Sequence, residues 1–202
     1  MDSEIIIVSG LPRSGTSLMM QMLQSGGVEV VTDNVRTADA DNPRGYYELE
    51  KVKRMKTDAS WLPETRGKAF KMVSQLLYDL PASERYRIIF MDRDLEEMLL
   101  SQEKMLQRLG GIAAPREPMK RAYALHLARL HEWLRRQGHV KVLRVSYNDL
   151  MERPQRESQR VSAFLDGKAN AESMARTVDP SLYRNRKDAA AVTGEGPAPE
   201  ST

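Results

Sequence analysis

Residues 4–17 read EIIIVSGLPRSGTS, and they carry the clearest structural signal in the chain. The β-branched run at residues 5–8 is typical of a buried strand in a parallel sheet. Residues 14–24 then carry apolar side chains at helical spacing, and residues 28–31 predict a second strand. A strand, a glycine-rich turn, a helix and a strand in this order predict a βαβ unit.

The rest of the chain alternates between short apolar runs and amphipathic segments. The predicted strands are residues 70–73, 87–91 and 140–145, and the predicted helices are residues 95–109, 117–137 and 156–165. This alternation indicates an α/β, three-layer fold with a mainly parallel sheet. Together with the glycine-rich turn at residues 10–15, it resembles the fold of the P-loop nucleoside triphosphate hydrolases.

The composition is that of a globular protein: 202 residues, 41% hydrophobic and 29% charged. The absence of cysteine excludes disulfides and zinc–thiolate sites. A net charge of only +3, with no basic stripe, argues against a nucleic-acid partner. Apolar runs are too short to span a membrane, and the N-terminus lacks the basic residues of a secretory signal. We therefore expect a cytoplasmic protein, whose oligomeric state the sequence does not indicate.

The chain is expected to form one α/β domain over residues 1–187. Residues 188–202 contain no apolar anchors and predict a disordered tail. Residues 34–67 are the least regular part of the domain, with a short helix expected near residues 48–56. A long irregular stretch inside a compact domain often carries function.

Residues 10–17, GLPRSGTS, follow a predicted strand and open a helix. This geometry aims backbone N–H groups and the positive helix terminus at one spot, which suits phosphate or sulfate. The spacing matches the nucleotide-binding pattern G-x-x-x-x-G-K-[ST], except that Thr16 replaces the lysine. That replacement argues against an ATPase or GTPase. The cation is instead Arg13, whose planar fork suits a tetrahedral oxyanion. An ordinary turn between strand and helix is the alternative interpretation.

The loop resembles the 5′-phosphosulfate loop of sulfotransferases that use 3′-phosphoadenosine 5′-phosphosulfate (PAPS). Residues 12–16 match the Pro-Arg-Ser-Gly-Thr of tyrosylprotein and many bacterial members. The resemblance implies that Arg13 binds the donor and stabilises charge during transfer. It implies further donor contacts from Ser14, Gly15, Thr16 and Ser17.

Two further segments are similar to the same family. Sulfotransferases hold the 3′-phosphate with an arginine at a strand end and a serine eight residues later, as Arg93 and Ser101 are spaced here. Ligands of α/β sheets bind at such strand ends. Residues 142–165 resemble the family's strand, Tyr-x-Asp-Leu and helix segment, which implies that Tyr147 approaches the nucleotide.

Lys71 opens a Lys-Met-Val triplet that resembles the Lys-Thr-His strand of cytosolic members. The resemblance implies that Lys71 contacts the transferred sulfuryl group. Val73 stands where those members have their catalytic histidine, so another base is required.

Tyrosylprotein sulfotransferases use a glutamate about two dozen residues into the βαβ unit. An ungapped match from Arg13 places Asp33 and Asn34 there, and we nominate Asp33 as the base. Asp-Asn after a strand is also ordinary turn chemistry. Glu48, beside two tyrosines, is the next candidate.

The chain differs from the sulfotransferase pattern at several positions. Leu18 replaces a tryptophan that helps to hold the adenine in cytosolic members, and the late loop over the 3′-phosphate is not recognisable. The basic residues that are candidates to replace it are Arg184, Arg186 and Lys187. Three histidines, at positions 126, 131 and 139, lack metal-ligand spacing, so no metal is expected.

The implied function is transfer of a sulfuryl group from PAPS to a hydroxyl or amine of a small-molecule or macromolecular acceptor. Residues 34–67 are expected on the acceptor side, where Tyr46, Tyr47 and Trp61 are candidate pocket walls or packing residues. One alternative is a P-loop small-molecule kinase, in which Asp92 would hold magnesium. The other is a non-catalytic nucleotide-binding protein.

Overall fold

The computed structural model describes residues 4–33 and 45–182. The predicted tail and the basic residues at positions 184, 186 and 187 lie outside the described residues, as does the first part of the irregular region. Four strands form one sheet in the order β2-β1-β3-β4, and every pairing is parallel. They are β1 (Glu4–Gly10), β2 (Ala69–Val73), β3 (Arg85–Asp92) and β4 (Val140–Ser146). The predicted parallel α/β fold is confirmed.

Helices cover both faces of this sheet and complete three layers. The described α-helices are α1 (Thr16–Ser25), α2 (Leu95–Arg108), α3 (Arg116–Arg135), α4 (Tyr147–Glu152), α5 (Pro154–Phe164) and α6 (Ala171–Thr177). The described 3-10 helices are Glu50–Arg54, Leu62–Thr65, Ser74–Asp79 and Pro180–Leu182. The short helices α4 and α6 have too few apolar positions for the sequence pattern to predict them.

The continuous apolar run of β1 is explained by burial on both faces. Ile6 and Val8 pack on one side, among residues of α1, α5 and α6. Ile5 and Ile7 pack on the other side, among residues of α3 and the 3-10 helices. All four side chains are buried, so the strand is central to the core.

The prediction of a second strand at residues 28–31 is wrong. These residues run beside β2, but their pairing is a single bridge between Val30 and Ala69. The ladder ends because the next polar residues turn to another segment: Thr32 Oγ1 and the Asp33 N–H both donate to the Glu48 carbonyl, at 2.9 and 3.2 Å.

The described part of the irregular region, residues 45–67, packs against the core. The helix expected near residues 48–56 is a 3-10 helix, Glu50–Arg54. Trp61 is buried, and its ring meets Phe70 edge-on with 5.3 Å between centroids. Trp61 is therefore a packing residue and not a pocket wall.

Candidate functional site

The loop between β1 and α1 depends on two glycines for its close approaches. A Cβ atom on Gly10 would lie 2.6 Å from the Met91 carbonyl oxygen. A Cβ atom on Gly15 would lie 2.4 Å from the ring of Tyr147, and Gly15 has a left-handed φ of 99°. No larger residue fits either position without displacing its neighbour.

Arg13, Arg93 and Ser101 meet at the carboxyl-terminal edge of the sheet. Arg13 Nε donates to Ser101 Oγ at 3.1 Å, and Arg93 Nη1 donates to the Arg13 carbonyl at 3.1 Å. Ser101 lies two turns into α2 and is buried. The structure thus joins residues of the glycine-rich loop to the Arg–Ser pair that the sequence placed about 80 residues away.

Tyr147 completes this cluster at the start of α4. The guanidinium carbon of Arg93 lies 4.4 Å from the centre of the Tyr147 ring, a cation–π contact. Burial raises the pKa of the Tyr147 phenol, with Arg93 opposing this effect, so the hydroxyl stays protonated at neutral pH.

Two residues that the sequence analysis missed support Arg93. Glu97 Oε2 lies 3.6 Å from Arg93 Nε, and Asn148 Nδ2 donates to the same oxygen at 3.2 Å. Both side chains of the Arg93–Glu97 pair are more than nine-tenths buried. The i,i+4 spacing of Arg93 and Glu97 was the available sequence signal.

Lys71 reaches the start of α1 from the neighbouring strand β2. Its Nζ donates to the Tyr46 carbonyl, which also accepts from Ser17 Oγ at 3.3 Å. The Glu48 carboxylate lies 4.0 Å from Lys71 Nζ. Lys71, Ser17 and Glu48 therefore form a second polar cluster at this edge of the sheet.

Asp33 lies beside this cluster, with its carboxylate directed at the chain backbone. Asp33 Oδ2 accepts from the Glu50 N–H at 2.5 Å, where the first 3-10 helix begins. Ser14 is turned beneath the glycine-rich loop: it is 1% exposed, and its N–H donates to the Leu11 carbonyl at 3.2 Å. Its hydroxyl makes no hydrogen bond within the part of the chain that the structure describes.

The other residues weighed in the sequence have structural contacts. Asp92 accepts from Arg144 Nε at 2.6 Å. His126 Nε2 lies 2.9 Å from Ser74 Oγ, and His131 packs edge-on against Phe90. Within residues 4–33 and 45–182, no three His, Asp or Glu side chains are grouped to hold a metal ion. The described helices include none that is long and apolar enough to cross a membrane.

The fold and this edge of the sheet define an α/β protein with a parallel sheet, in which a glycine-rich loop carries Arg13 beside Arg93. The sulfotransferase domain family matches residues 3–195. The chain therefore belongs to the sulfotransferase domain family, and this membership supports a sulfotransferase activity.

Solved structures of sulfotransferases are similar to the chain. One is the sulfotransferase domain from the curacin biosynthetic pathway, with a TM-score of 0.50 and 15% identity over 97% of this chain and 93% of that one. Another is a sulfotransferase from Alicyclobacillus acidocaldarius, with a TM-score of 0.49 and 16% identity over 81% of each chain. A mouse sulfotransferase complexed with PAP has a TM-score of 0.45 and 15% identity, covering 88% of this chain and 63% of that one. A search of curated protein sequences gives no match.

Proposed function

We propose that this protein transfers a sulfuryl group from PAPS to a hydroxyl or amine acceptor. The observation that carries the proposal is the convergence of the glycine-rich loop, Arg93, Ser101 and Tyr147 at one edge of the sheet. Hydrogen bonds and a cation–π contact link all four. Strand ends of this kind are where α/β proteins bind nucleotides.

The chemistry of the side chains suits a donor that carries two anionic groups. The backbone N–H groups at the start of α1, with the hydroxyls of Thr16 and Ser17, are proposed to hold the 5′-phosphate. Arg93 and Ser101 are proposed to hold the 3′-phosphate, with Tyr147 against the nucleotide. Because Gly15 has no side chain, the Tyr147 ring can lie close to the backbone of the loop. Ser14 would contribute by shaping the loop, since its side chain is buried.

When bound, PAPS supplies an activated sulfuryl group with a phosphate leaving group. Arg13 and Lys71 are proposed to stabilise the negative charge that develops on the sulfuryl and bridging oxygens. These cations are built into the loop and β2, so the proposal needs no metal. Positioning and charge stabilisation carry most of the catalysis in related group transfers. Asp33 and Glu48 are the candidates to accept the proton of the acceptor.

Ligand-induced thermal stabilisation tests the proposal. At about 100 times the dissociation constant, a ligand stabilises the folded state by about 2.7 kcal/mol. For a chain of this size, we expect adenosine 3′,5′-bisphosphate (PAP) to raise the melting temperature by about 5–10 °C. A rise with magnesium-ATP alone would favour the kinase alternative and contradict the proposal.

Two variants make this test specific to the 3′-phosphate. We expect Arg93→Met and Ser101→Ala to weaken PAP binding while leaving 5′-AMP binding nearly unchanged. Loss of the charged contacts of Arg93 should cost about 1.5–3 kcal/mol, or about 10- to 160-fold in affinity. The matched control is Arg129→Met at an exposed position of α3. Equal losses for PAP and AMP, measured by calorimetry, would contradict the assignment.

A further inference from the structure

The backbone next to Glu48 is held by residues from two other elements. The Tyr46 carbonyl accepts from Lys71 Nζ on β2 and from Ser17 Oγ on α1. Two residues later, the Glu48 carboxylate lies 4.0 Å from Lys71 Nζ. Glu48 is thereby anchored beside the residues that the proposed function assigns to the sulfuryl group and the 5′-phosphate.

The residue between these anchors has an unusual backbone conformation. Tyr47 has a left-handed φ of 53°, which a bulky residue adopts only where the surrounding structure maintains it. Its hydroxyl donates to Gln24 Oε1 on α1 at 2.7 Å. Strained backbone of this kind is concentrated at functional sites. Here the strained residue lies between two groups that both contact Lys71 Nζ: the Tyr46 carbonyl and the Glu48 carboxylate.

The side chains of Lys71 and Glu48 differ in their exposure to solvent. The Lys71 side chain is 12% exposed, whereas Glu48 is 30% exposed. Glu48 can therefore be reached from solvent, as an acceptor that enters and leaves requires. A base must come within hydrogen-bond distance of the proton that it removes.

Asp33 has a different local role. Its carboxylate accepts the Glu50 N–H at 2.5 Å, and its own N–H donates to the Glu48 carbonyl at 3.2 Å. Asp33 thus contacts the backbone at the Glu48 carbonyl and again at Glu50, two residues after Glu48. This arrangement is that of a residue which holds Glu48 in place.

We propose that Glu48 is the catalytic base of the transfer and that Asp33 is a positioning residue; this inference rests on the proposed function. The acceptor oxygen forms a bond to sulfur while its O–H bond breaks, and Glu48 takes the proton. The bond between sulfur and the bridging oxygen breaks, and its electron pair leaves on the 5′-phosphate of PAP. Lys71 stays on the sulfuryl side of the same step.

The test compares acceptors of different acidity. PAP release from PAPS is measured with a panel of aliphatic alcohols and with 4-nitrophenol, which is largely ionised at mildly alkaline pH. We expect Glu48→Gln to lower the rate with an alcohol by about 10²–10⁴-fold, the usual contribution of a general base. The loss with 4-nitrophenol should be much smaller, because the ionised acceptor has no proton to transfer.

Matched variants separate the two carboxylates. Glu50→Gln changes an exposed glutamate of the same segment, which pairs with Lys53, and should leave both rates unchanged. Asp33→Asn keeps an oxygen that can accept the Glu50 N–H, and should cost less than Glu48→Gln. Its loss should also be smaller with 4-nitrophenol than with an alcohol, because Asp33 acts through the base Glu48. PAP affinity should stay unchanged in Glu48→Gln.

Three results would overturn the inference. The first is a loss of rate that occurs in Asp33→Asn and not in Glu48→Gln. The second is a loss of rate in Glu48→Gln that is equal for alcohols and 4-nitrophenol. The third is an unchanged rate in Glu48→Gln. Failure of the wild-type chain to bind PAP, or to release it from PAPS with any acceptor, would instead refute the proposed function on which the inference rests.

Discussion

Gly15 shows how closely the site depends on single residues. It precedes α1, has a left-handed φ, and lies against the ring of Tyr147. That ring in turn contacts Arg93. The smallest side chain at this position therefore sets the distance between the loop and the proposed nucleotide residues.

Replacing Gly15 by alanine should damage both the loop and its contact with α4. A new Cβ atom would lie 2.4 Å from the Tyr147 ring, and one of the two must move. We expect a destabilisation of about 1–3 kcal/mol from overpacking, together with weaker PAP binding. Urea unfolding and calorimetry measure the two effects.

Gly27→Ala is the matched control for this substitution. Gly27 also has a left-handed φ, 91°, but no described heavy atom lies within 4 Å of its Cβ position. The Gly27→Ala variant should lose only about 1 kcal/mol of unfolding free energy, because alanine disfavours a left-handed φ, and it should bind PAP normally. Equal effects of the two substitutions on PAP affinity would show that the contact with Tyr147 is unimportant.

At the scale of the element, α2 connects the two proposed 3′-phosphate residues. Arg93 precedes the helix, and Ser101 lies on it. Between them, Asp94 is the N-cap, and its side chain accepts from the N–H groups of Glu96 and Glu97 at 2.9 and 3.3 Å. The cap determines where the helix begins and therefore which face presents Ser101.

Removal of the Asp94 cap should disturb the relative positions of Arg93 and Ser101. We expect Asp94→Ala to lower the free energy of unfolding by about 0.5–2 kcal/mol and to weaken PAP binding, because the first turn of α2 frays. Asp94→Asn, which also caps helices well, should retain most of both properties. If alanine and asparagine behave alike in urea unfolding, the cap does not determine the stability of α2.

At the scale of the whole molecule, the opposite edge of the sheet is held by a charged network. Arg87 on β3 donates from Nε to Glu4 on β1 at 2.5 Å and from Nη2 to Asp166 after α5 at 2.8 Å. Lys141 on β4 donates to the other Glu4 oxygen at 3.2 Å. These contacts join three strands and a helix end at the edge away from the proposed site.

The network makes stability depend on pH. Burial alone would raise the pKa of Glu4, but the hydrogen bonds and charges of Arg87 and Lys141 outweigh it and lower the pKa below its ordinary value of 4.5. A carboxyl whose pKa is lowered by folding stabilises the folded state above its unfolded pKa. That contribution is lost as the pH falls through the lowered folded-state pKa.

Glu4→Gln should therefore flatten the acid side of the stability profile. We expect the wild-type chain to lose more free energy of unfolding than the variant as the pH falls from neutral to below 4.5, the ordinary Glu value. Glu172→Gln on α6, where the side chain is 71% exposed, is the control. Parallel profiles for Glu4→Gln and the wild type, measured by urea unfolding, would contradict the role of the network.

Much of the fold follows from local patterns in the sequence. The apolar run of β1, the glycine-rich turn and the amphipathic helices α2, α3 and α5 are visible because burial imposes a period on each element. The strand predicted at residues 28–31 failed because a short apolar run does not show whether its neighbours will continue the ladder. Thr32 and Asp33 bind the Glu48 carbonyl instead.

Residues close together in the chain were enough to predict the α/β class, the glycine-rich loop after β1, and the proposal that Arg93 and Ser101 act together. Which distant residues meet is visible only in the folded chain. It joined Arg13 to Ser101, buried Glu97 against Arg93, and placed Glu48 beside Lys71. These contacts depend on strand order and on how the chain returns between strands, and local periodicity carries no information about either.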